Sequence, residues 1–184
     1  MNIVKRSPAT QDDFERILFV CKARKKGTPH AFKEVVHVEE TKNGCRLIAT
    51  DGKRLHIAEI NLKIKTGDYK PQIRRDAITM GPALKGINFP DWQREIPEKA
   101  RKRVTIDLSK AGAGNDKAAN SGKLTLALHS CLTKAGEIIN LRYLDDLPKK
   151  EWAVCKEQGK PLLFKQQNTK RETLAVIVPM RAAA

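Results

Sequence analysis

Apolar residues recur along this chain with two different periods, and the change of period divides it. Between Thr10 and Lys26, Phe14, Ile17, Leu18 and Cys21 fall at i, i+3, i+4 and i+7, which is one face of an α-helix. Thr10 with Asp13 three residues on matches a capping box. The basic last turn suits the negative end of the helix dipole, and Gly27 can take the left-handed conformation that stops a helix. From Ala31 the period drops to two, with Val36 and Val38 alternating with His37 and Glu39. This predicts strands at about Ala31 to Glu40, Cys45 to Thr50 and Arg54 to Leu62. Lys42-Asn43-Gly44 and Asp51-Gly52 supply the tight turns of an antiparallel meander.

The middle is less regular. Ile73 to Met80 has strand character, but Pro82, Gly86, Pro90 and Pro97 break any long element, so Lys63 to about Arg103 reads as a connecting segment. Val104 to Leu108 and Lys123 to His129 alternate as strands, joined by Ser109 to Gly122, a loop rich in Gly, Ala, Asn and Lys. Glu137 to Leu141 then reads as a strand. Asn140 caps a short helix through Leu144 and Leu147 that Pro148 ends. Trp152 to Lys156, Leu162 to Gln166 and Thr173 to Val178 are strands, with turns at Gln158-Gly159 and Asn168-Thr169. The order strand, helix, three strands thus occurs loosely twice. It predicts an α+β fold of two halves, residues 1–88 and 98–184, joined by a linker at 89–97.

Composition narrows the function. With 184 residues the chain has material for about one domain and can bury a core without disulfides. Its 36 Lys and Arg against 21 Asp and Glu give a formal charge of +15, with 40% apolar residues. This composition argues against a disordered tail, and no apolar run approaches the roughly 18 residues of a membrane span. Met1 to Arg6 lacks an apolar signal core, so a cytoplasmic protein is expected. Cys21, Cys45, Cys131 and Cys155 form no C-x-x-C pair and no ligand-spaced set with His30, His37, His56 and His129, so they read as reduced buried thiols with no metal site. No nucleophile-base arrangement or phosphate loop stands out. Gly112-x-Gly114 lacks a strand-to-helix setting, and the paired carboxylates Asp12-Asp13, Glu39-Glu40 and Asp145-Asp146 read as caps or solvated edges. The expectation is a protein without catalysis and without a cofactor. Its charge is clustered at Lys22 to Lys26, at Arg74-Arg75 and at Lys99 to Arg103, which makes nucleic acid the leading partner class; the bland alternative is a merely solvated basic surface.

Three strings add a resemblance. Leu47-Ile48-Ala49-Thr50-Asp51-Gly52-Lys53-Arg54-Leu55, Phe89-Pro90-Asp91-Trp92-Gln93-Arg94-Glu95-Ile96-Pro97 and Val176-Ile177-Val178-Pro179-Met180-Arg181 occur in that order, the last near the C-terminus. Together they resemble the bacterial DNA polymerase III beta subunit, the sliding clamp. The resemblance implies a sliding-clamp-like (DNA clamp) fold, here one clamp-type domain of two halves, where family members have three domains per chain and close a six-domain ring as dimers. In that family the corresponding segments line an apolar groove for short peptides of polymerases, the clamp loader and repair proteins. Carried over, the groove residues are Thr50, Gly52, Lys53, Arg54 and Leu55, then Pro90 and Arg94, then Val176, Ile177, Val178, Pro179, Met180 and Arg181. Leu55, Val176 and Met180 would give its apolar walls. Glu95 and Ala182 depart from the family pattern, and both would weaken an apolar site.

Family members also line their ring with basic helices that follow duplex DNA without reading sequence. By element, the Thr10 to Lys26 helix is the counterpart, with Arg16, Lys22, Arg24, Lys25 and Lys26 facing phosphates; Arg142, Lys149 and Lys150 on the later helix are further DNA-binding candidates. The expected function is a non-catalytic clamp-like tether on double-stranded DNA, a homo-oligomer if it closes a ring, with no membrane partner. Two alternatives stand beside it: a basic, sequence-independent DNA-binding module without a ring, and a decoy that occupies the host clamp machinery.

Overall fold

The computed structural model describes residues 2–109 and 137–181. The chain divides into two compact units, Met1–Trp92 with Arg171–Thr173, and Gln93–Lys170 with Leu174–Ala184. Strands and helices are labelled in chain order among the described residues.

The first unit holds β1 (Asn2–Lys5), α1 (Gln11–Lys22), a 3-10 helix (Ala31–Glu34), β2 (Val36–Thr41), β3 (Gly44–Thr50), β4 (Arg54–Ile60), β5 (Gly67–Tyr69), β6 (Pro71–Ile73) and β7 (Ala77–Met80). Its strands run antiparallel in the order β5-β2-β3-β4, and a second sheet has the order β1-β7-β6. The expected meander is present, with its pairing set by Thr41↔Gly44 and Thr50↔Leu55. Gly44 is required by close approach: a Cβ there would fall on the Ile60 carbonyl oxygen. α1 packs on β3 and β4, burying Phe14, Ile17, Phe19 and Val20, while Val36, Val38, Leu47, Ile48 and Ile57 are fully buried in the strands. Each such side chain contributes roughly 1.5–3 kcal/mol, largely offset by chain entropy.

The helix differs from its expected span at both ends. Thr10 makes no side-chain cap; its hydroxyl donates to the Lys5 carbonyl at 2.5 Å. Asp13 faces inward and accepts from the Asn61 N–H at 3.2 Å and from Arg171. The capping box is therefore absent, because tertiary partners hold both side chains. At the other end the helix stops at Lys22, with its last four carbonyls all satisfied. Phe19 O accepts from His56 Nδ1 at 2.8 Å and Lys22 O from Arg54 Nη2 at 2.6 Å; Val20 O and Cys21 O take the N–H groups of Ala23 and Arg24. Two side chains of β4 thus end the helix before Arg24. Gly27 is left-handed, at φ +66°, but lies beyond the helix end. Ala31–Glu34 is a 3-10 helix rather than the start of a strand, and Ile73 to Met80 is part of the β6–β7 hairpin rather than one strand.

The second unit holds β8 (Arg101–Asp107), β9 (Glu137–Ile138), a 3-10 helix (Leu141–Tyr143), β10 (Glu151–Lys156), β11 (Leu162–Gln166), most of β12 (Thr173–Ile177) and β13 (Met180–Arg181). Its strands are antiparallel in the order β12-β11-β10-β8, and β13 pairs with β9. Trp152, Val154, Leu162, Phe164, Ala175 and Ile177 are fully buried. Asn140 does cap, its Oδ1 accepting from the Arg142 N–H at 3.1 Å, but the helix it opens is one 3-10 turn, shorter than expected. The expected strand Lys123 to His129, most of the loop Ser109 to Gly122, Cys131 and Ala182 lie outside the described residues. The architecture is α+β, antiparallel sheets with few helices.

Candidate nucleic-acid and peptide interfaces

Of the expected phosphate-facing helix, little remains on α1. Its exposed residues are Asp12, Glu15 and Lys22. Arg16 is buried; its guanidinium bonds Asp12 at 3.0 Å and the Thr173 hydroxyl, so it is a structural residue and not a phosphate ligand. Arg24 is partly buried and donates to the carbonyls of Cys21, Glu34 and Pro71 at 3.3–3.4 Å, clasping three segments together. These corrections share one cause. Guanidinium groups that find a carboxylate, a hydroxyl or unpaired carbonyls on neighbouring segments are bound there first.

The exposed cations gather beyond the helix end. Lys22 closes α1, and Lys25 and Lys26 follow it, both exposed. The Lys25 N–H bonds the Lys33 carbonyl at 2.8 Å, which brings the 3-10 helix alongside. The Lys33 ammonium in turn reaches the β3–β4 turn, where a Cβ added to Gly52 would sit 3.1 Å from it, next to exposed Lys53. Lys33 escaped the sequence reading because nothing in its spacing ties it to Lys25 or Lys53; the chain path does. In the second unit, Arg142 is exposed on the 3-10 helix and Lys149 and Lys150 are exposed just before β10.

The Thr50–Leu55 turn is built from its own polar groups. Thr50 donates to the Arg54 carbonyl at 2.7 Å and accepts from the Gly52 N–H at 3.0 Å, and Asp51 Oδ1 accepts from the N–H groups of Lys53 and Arg54. Gly52, at φ +87°, is left-handed. Leu55, however, is only 4% exposed, and Val176 and Ile177 are buried in β12, which is covered along its whole length. These three are core residues, not groove walls, because β4 and β12 are buried on both faces. Arg54 is committed to Lys22 O and lies 3.4 Å from Asp51. Pro90, Arg94 and Val178 are exposed and Pro179 is partly so; Met180 and Arg181 form β13 opposite Ile138 and Glu137.

The aromatic residues of the Phe89–Trp92 string anchor it to the outer side of β2. Phe89 stacks on His37 at 4.8 Å, and His37 Nδ1 bonds Asp68 at 2.9 Å. Trp92 Nε1 donates to Glu39 at 2.8 Å, and the Arg46 guanidinium lies 5.5 Å over the indole. Burial pushes the Cys21 and Cys45 thiols up to about 11, and raises Cys155 as well. Among the described residues there is no cluster of His, Cys, Asp or Glu that could hold a metal ion, and no helix long and apolar enough to cross a membrane.

No protein-family model and no curated protein matches this sequence. Many solved chains match the structure. The DNA polymerase III beta subunit of Thermotoga maritima superposes with a TM-score of 0.63 at 16% identity, covering 99% of this chain and 65% of that one. The beta chain of Streptococcus pneumoniae gives 0.62 at 13% identity, covering 98% and 64%. The sliding clamp of Pseudomonas aeruginosa gives 0.63 at 14%, covering 98% and 66%. This chain therefore spans about 65% of the length of the clamps it matches.

Proposed function

We propose, for a chain that carries the sliding-clamp fold, a role as a non-catalytic tether associated with duplex DNA. The observation that carries this reading is the fold likeness, which extends over 99% of the chain. The lysines collected at one end of the first unit, Lys22, Lys25, Lys26, Lys33 and Lys53, support it. Ammonium groups that follow phosphates bind mainly by releasing counterions, which makes binding independent of sequence and steeply dependent on salt. The proposed DNA-binding set is these five lysines with Arg142, Lys149 and Lys150; Arg16 and Arg24 drop out.

The peptide-binding surface is proposed in reduced form. In the first unit Gly52, Lys53 and Pro90 are exposed; in the second Arg94 and Val178 are exposed and Pro179 partly so, with Met180 and Arg181 following on β13. With Leu55 committed to the core of the first unit and Val176 and Ile177 to that of the second, the residues each unit leaves for peptide segments of polymerases, clamp loader or repair proteins are more polar than the family groove.

Light scattering across a concentration series, with duplex binding measured by anisotropy at several salt concentrations, tests the reading. A closed oligomer that holds circular duplex better than short linear duplex supports the tether. A monomer binding any duplex with steep salt dependence supports the ring-free basic module instead. Lys25→Glu with Lys26→Glu should reduce the salt slope by about two. An unchanged slope removes this end of the unit from the DNA face.

A further inference from the structure

Aromatic residues are scarce here, 5% of the chain, and how they are spent is informative. Of the five Phe, Phe14, Phe19 and Phe164 are at most 1% exposed. Phe32 and Phe89 are partly exposed on the first unit. They belong to a run of four rings. His30, exposed, lies 5.8 Å from Phe32; Phe32 meets Phe89 edge-on at 6.3 Å; and Phe89 stacks on His37 at 4.8 Å. The inner end is rigid, since His37 is bonded to Asp68.

The rim of this run is basic. The Lys33 ammonium lies 5.7 Å from the Phe32 ring and against the Gly52 turn beside Lys53, while Lys25 joins Lys33 through the backbone and Lys26 follows. The nearby carboxylates are already engaged. Glu34 accepts from the N–H groups of Gly27 and Thr28 and from Lys70 at 2.6 Å, and the Lys70 hydrogen bond chiefly holds its carboxyl below the usual range. Asp51 is occupied by its own turn and by Arg54. Lys25, Lys26, Lys33 and Lys53 have no ion-pair partner among the described residues.

We infer that the His30–Phe32–Phe89 surface is a stacking platform for the unpaired bases of single-stranded DNA, with Lys25, Lys26, Lys33 and Lys53 taking the phosphates. Paired bases hide their faces within the duplex, so a duplex uses only the lysines. A single strand offers a base face to Phe32 and its phosphates to the rim together. Stacking is tolerant of sequence because every base has a π face, in keeping with a surface that presents rings and ammonium groups and few directed hydrogen-bond donors. An apolar peptide would leave four ammonium groups unmatched, which is why the charge favours a nucleic-acid strand. The inference rests on the DNA-associated reading, whose lysines it shares, and adds a function for the rings.

The test is anisotropy with labelled oligo-dT of about 20 nucleotides and, separately, a duplex of the same length, on the full chain and on Phe32→Leu and Phe32→Tyr. Base–aromatic stacking of about 1–3 kcal/mol per base predicts oligo-dT binding weakened roughly 5- to 150-fold in Phe32→Leu and kept in Phe32→Tyr, with duplex affinity unchanged in both. An oligonucleotide carrying 2-aminopurine should be quenched by the wild type and not by Phe32→Leu. Equal oligo-dT affinity in wild type and Phe32→Leu overturns the inference. So does a loss that duplex and oligo-dT share, or failure of the wild type to bind oligo-dT while Phe32→Leu changes the mass in solution, which would give the surface to a second copy of the chain. Oligo-dT binding with no duplex binding would instead overturn the duplex tether and leave this inference standing.

Discussion

Acidification should destabilise this protein through one histidine. His56 sits on β4, 0% exposed, its Nδ1 donating to the Phe19 carbonyl at 2.8 Å and its ring stacked on Phe19 at 4.3 Å and 11°. Its Nε2 is buried with no hydrogen-bond partner among the described residues. Burial chiefly lowers its pKa to about 3, with the bond to Phe19 opposing and the charges of Arg54 and Lys22 adding. An unfolded histidine titrates near 6.5. Between about pH 6.5 and 3 the unfolded chain therefore binds a proton that the folded chain refuses, and stability falls as pH falls. The contribution is intact above pH 6.5 and is lost at about 1.4 kcal/mol per pH unit below it, or about 2 kcal/mol at pH 5. For a chain of this size that is a drop in Tm of roughly 4–8 °C.

Other groups titrate over the same range, so the measurement is a difference. His56→Asn keeps a donor for the Phe19 carbonyl but does not ionise. Urea unfolding followed by circular dichroism at pH 7.5 and 5.0 should show the wild type losing about 2 kcal/mol more than His56→Asn over that interval. The variant itself is expected to be less stable at pH 7.5, having lost the ring stack. If both lose stability in parallel, to within about 0.5 kcal/mol, His56 is protonated or hydrated in the folded state, and the account of how β4 ends α1 fails with it.

Three further outcomes follow from the packing. Gly44→Ala drives a methyl group into the Ile60 carbonyl and should cost about 2 kcal/mol or more by urea unfolding; a neutral result would mean that the β3–β4 ladder shifts freely. Arg171→Met leaves the Asp13 carboxylate, whose side chain is 8% exposed, without its charge partner and should cost about 2–4 kcal/mol, most of it recovered by adding Asp13→Asn; a double variant no better than the single one would refute the pairing. Cys21 and Cys45, their thiols pushed up to about 11 by burial, should resist iodoacetamide at pH 8 in the native protein and react in urea, as read by peptide mass spectrometry; native labelling of either would contradict the buried placement.

The parts legible in the sequence were those fixed by near neighbours. The meander was readable because alternation at Val36 to Glu39 and the turns Lys42-Asn43-Gly44 and Asp51-Gly52 carry their signals within a few residues. The three strings, in order, also pointed to the clamp architecture that the superpositions show. Helix α1 is legible in the sequence but its end is not, since two of its last four carbonyls are met by His56 and Arg54, more than 30 residues away. Asp13 looked like a capping residue and is instead held by Asn61 and Arg171.

For the candidate site the division is sharper. Sequence supplies the charge, +15, and its local runs, because charge is a sum over residues and needs no fold. Which cations face water is decided by long-range partners: Arg16 reads as a surface base and is buried on Thr173, while Lys33, unremarkable in sequence, is carried against the Gly52 turn. Leu55 and Val176 look like groove walls in a motif and lie in the core, because burial depends on what packs over a strand and not on the strand's own residues. The four-ring run behaves the same way: His30 and Phe32 are near neighbours, but Phe89 joins them only because the Phe89–Trp92 string folds back on β2. Local propensity and composition thus determined most of the elements and the net charge. Closure of contacts between residues distant in the chain, which no local pattern encodes, decided which of the charged and aromatic side chains remain exposed.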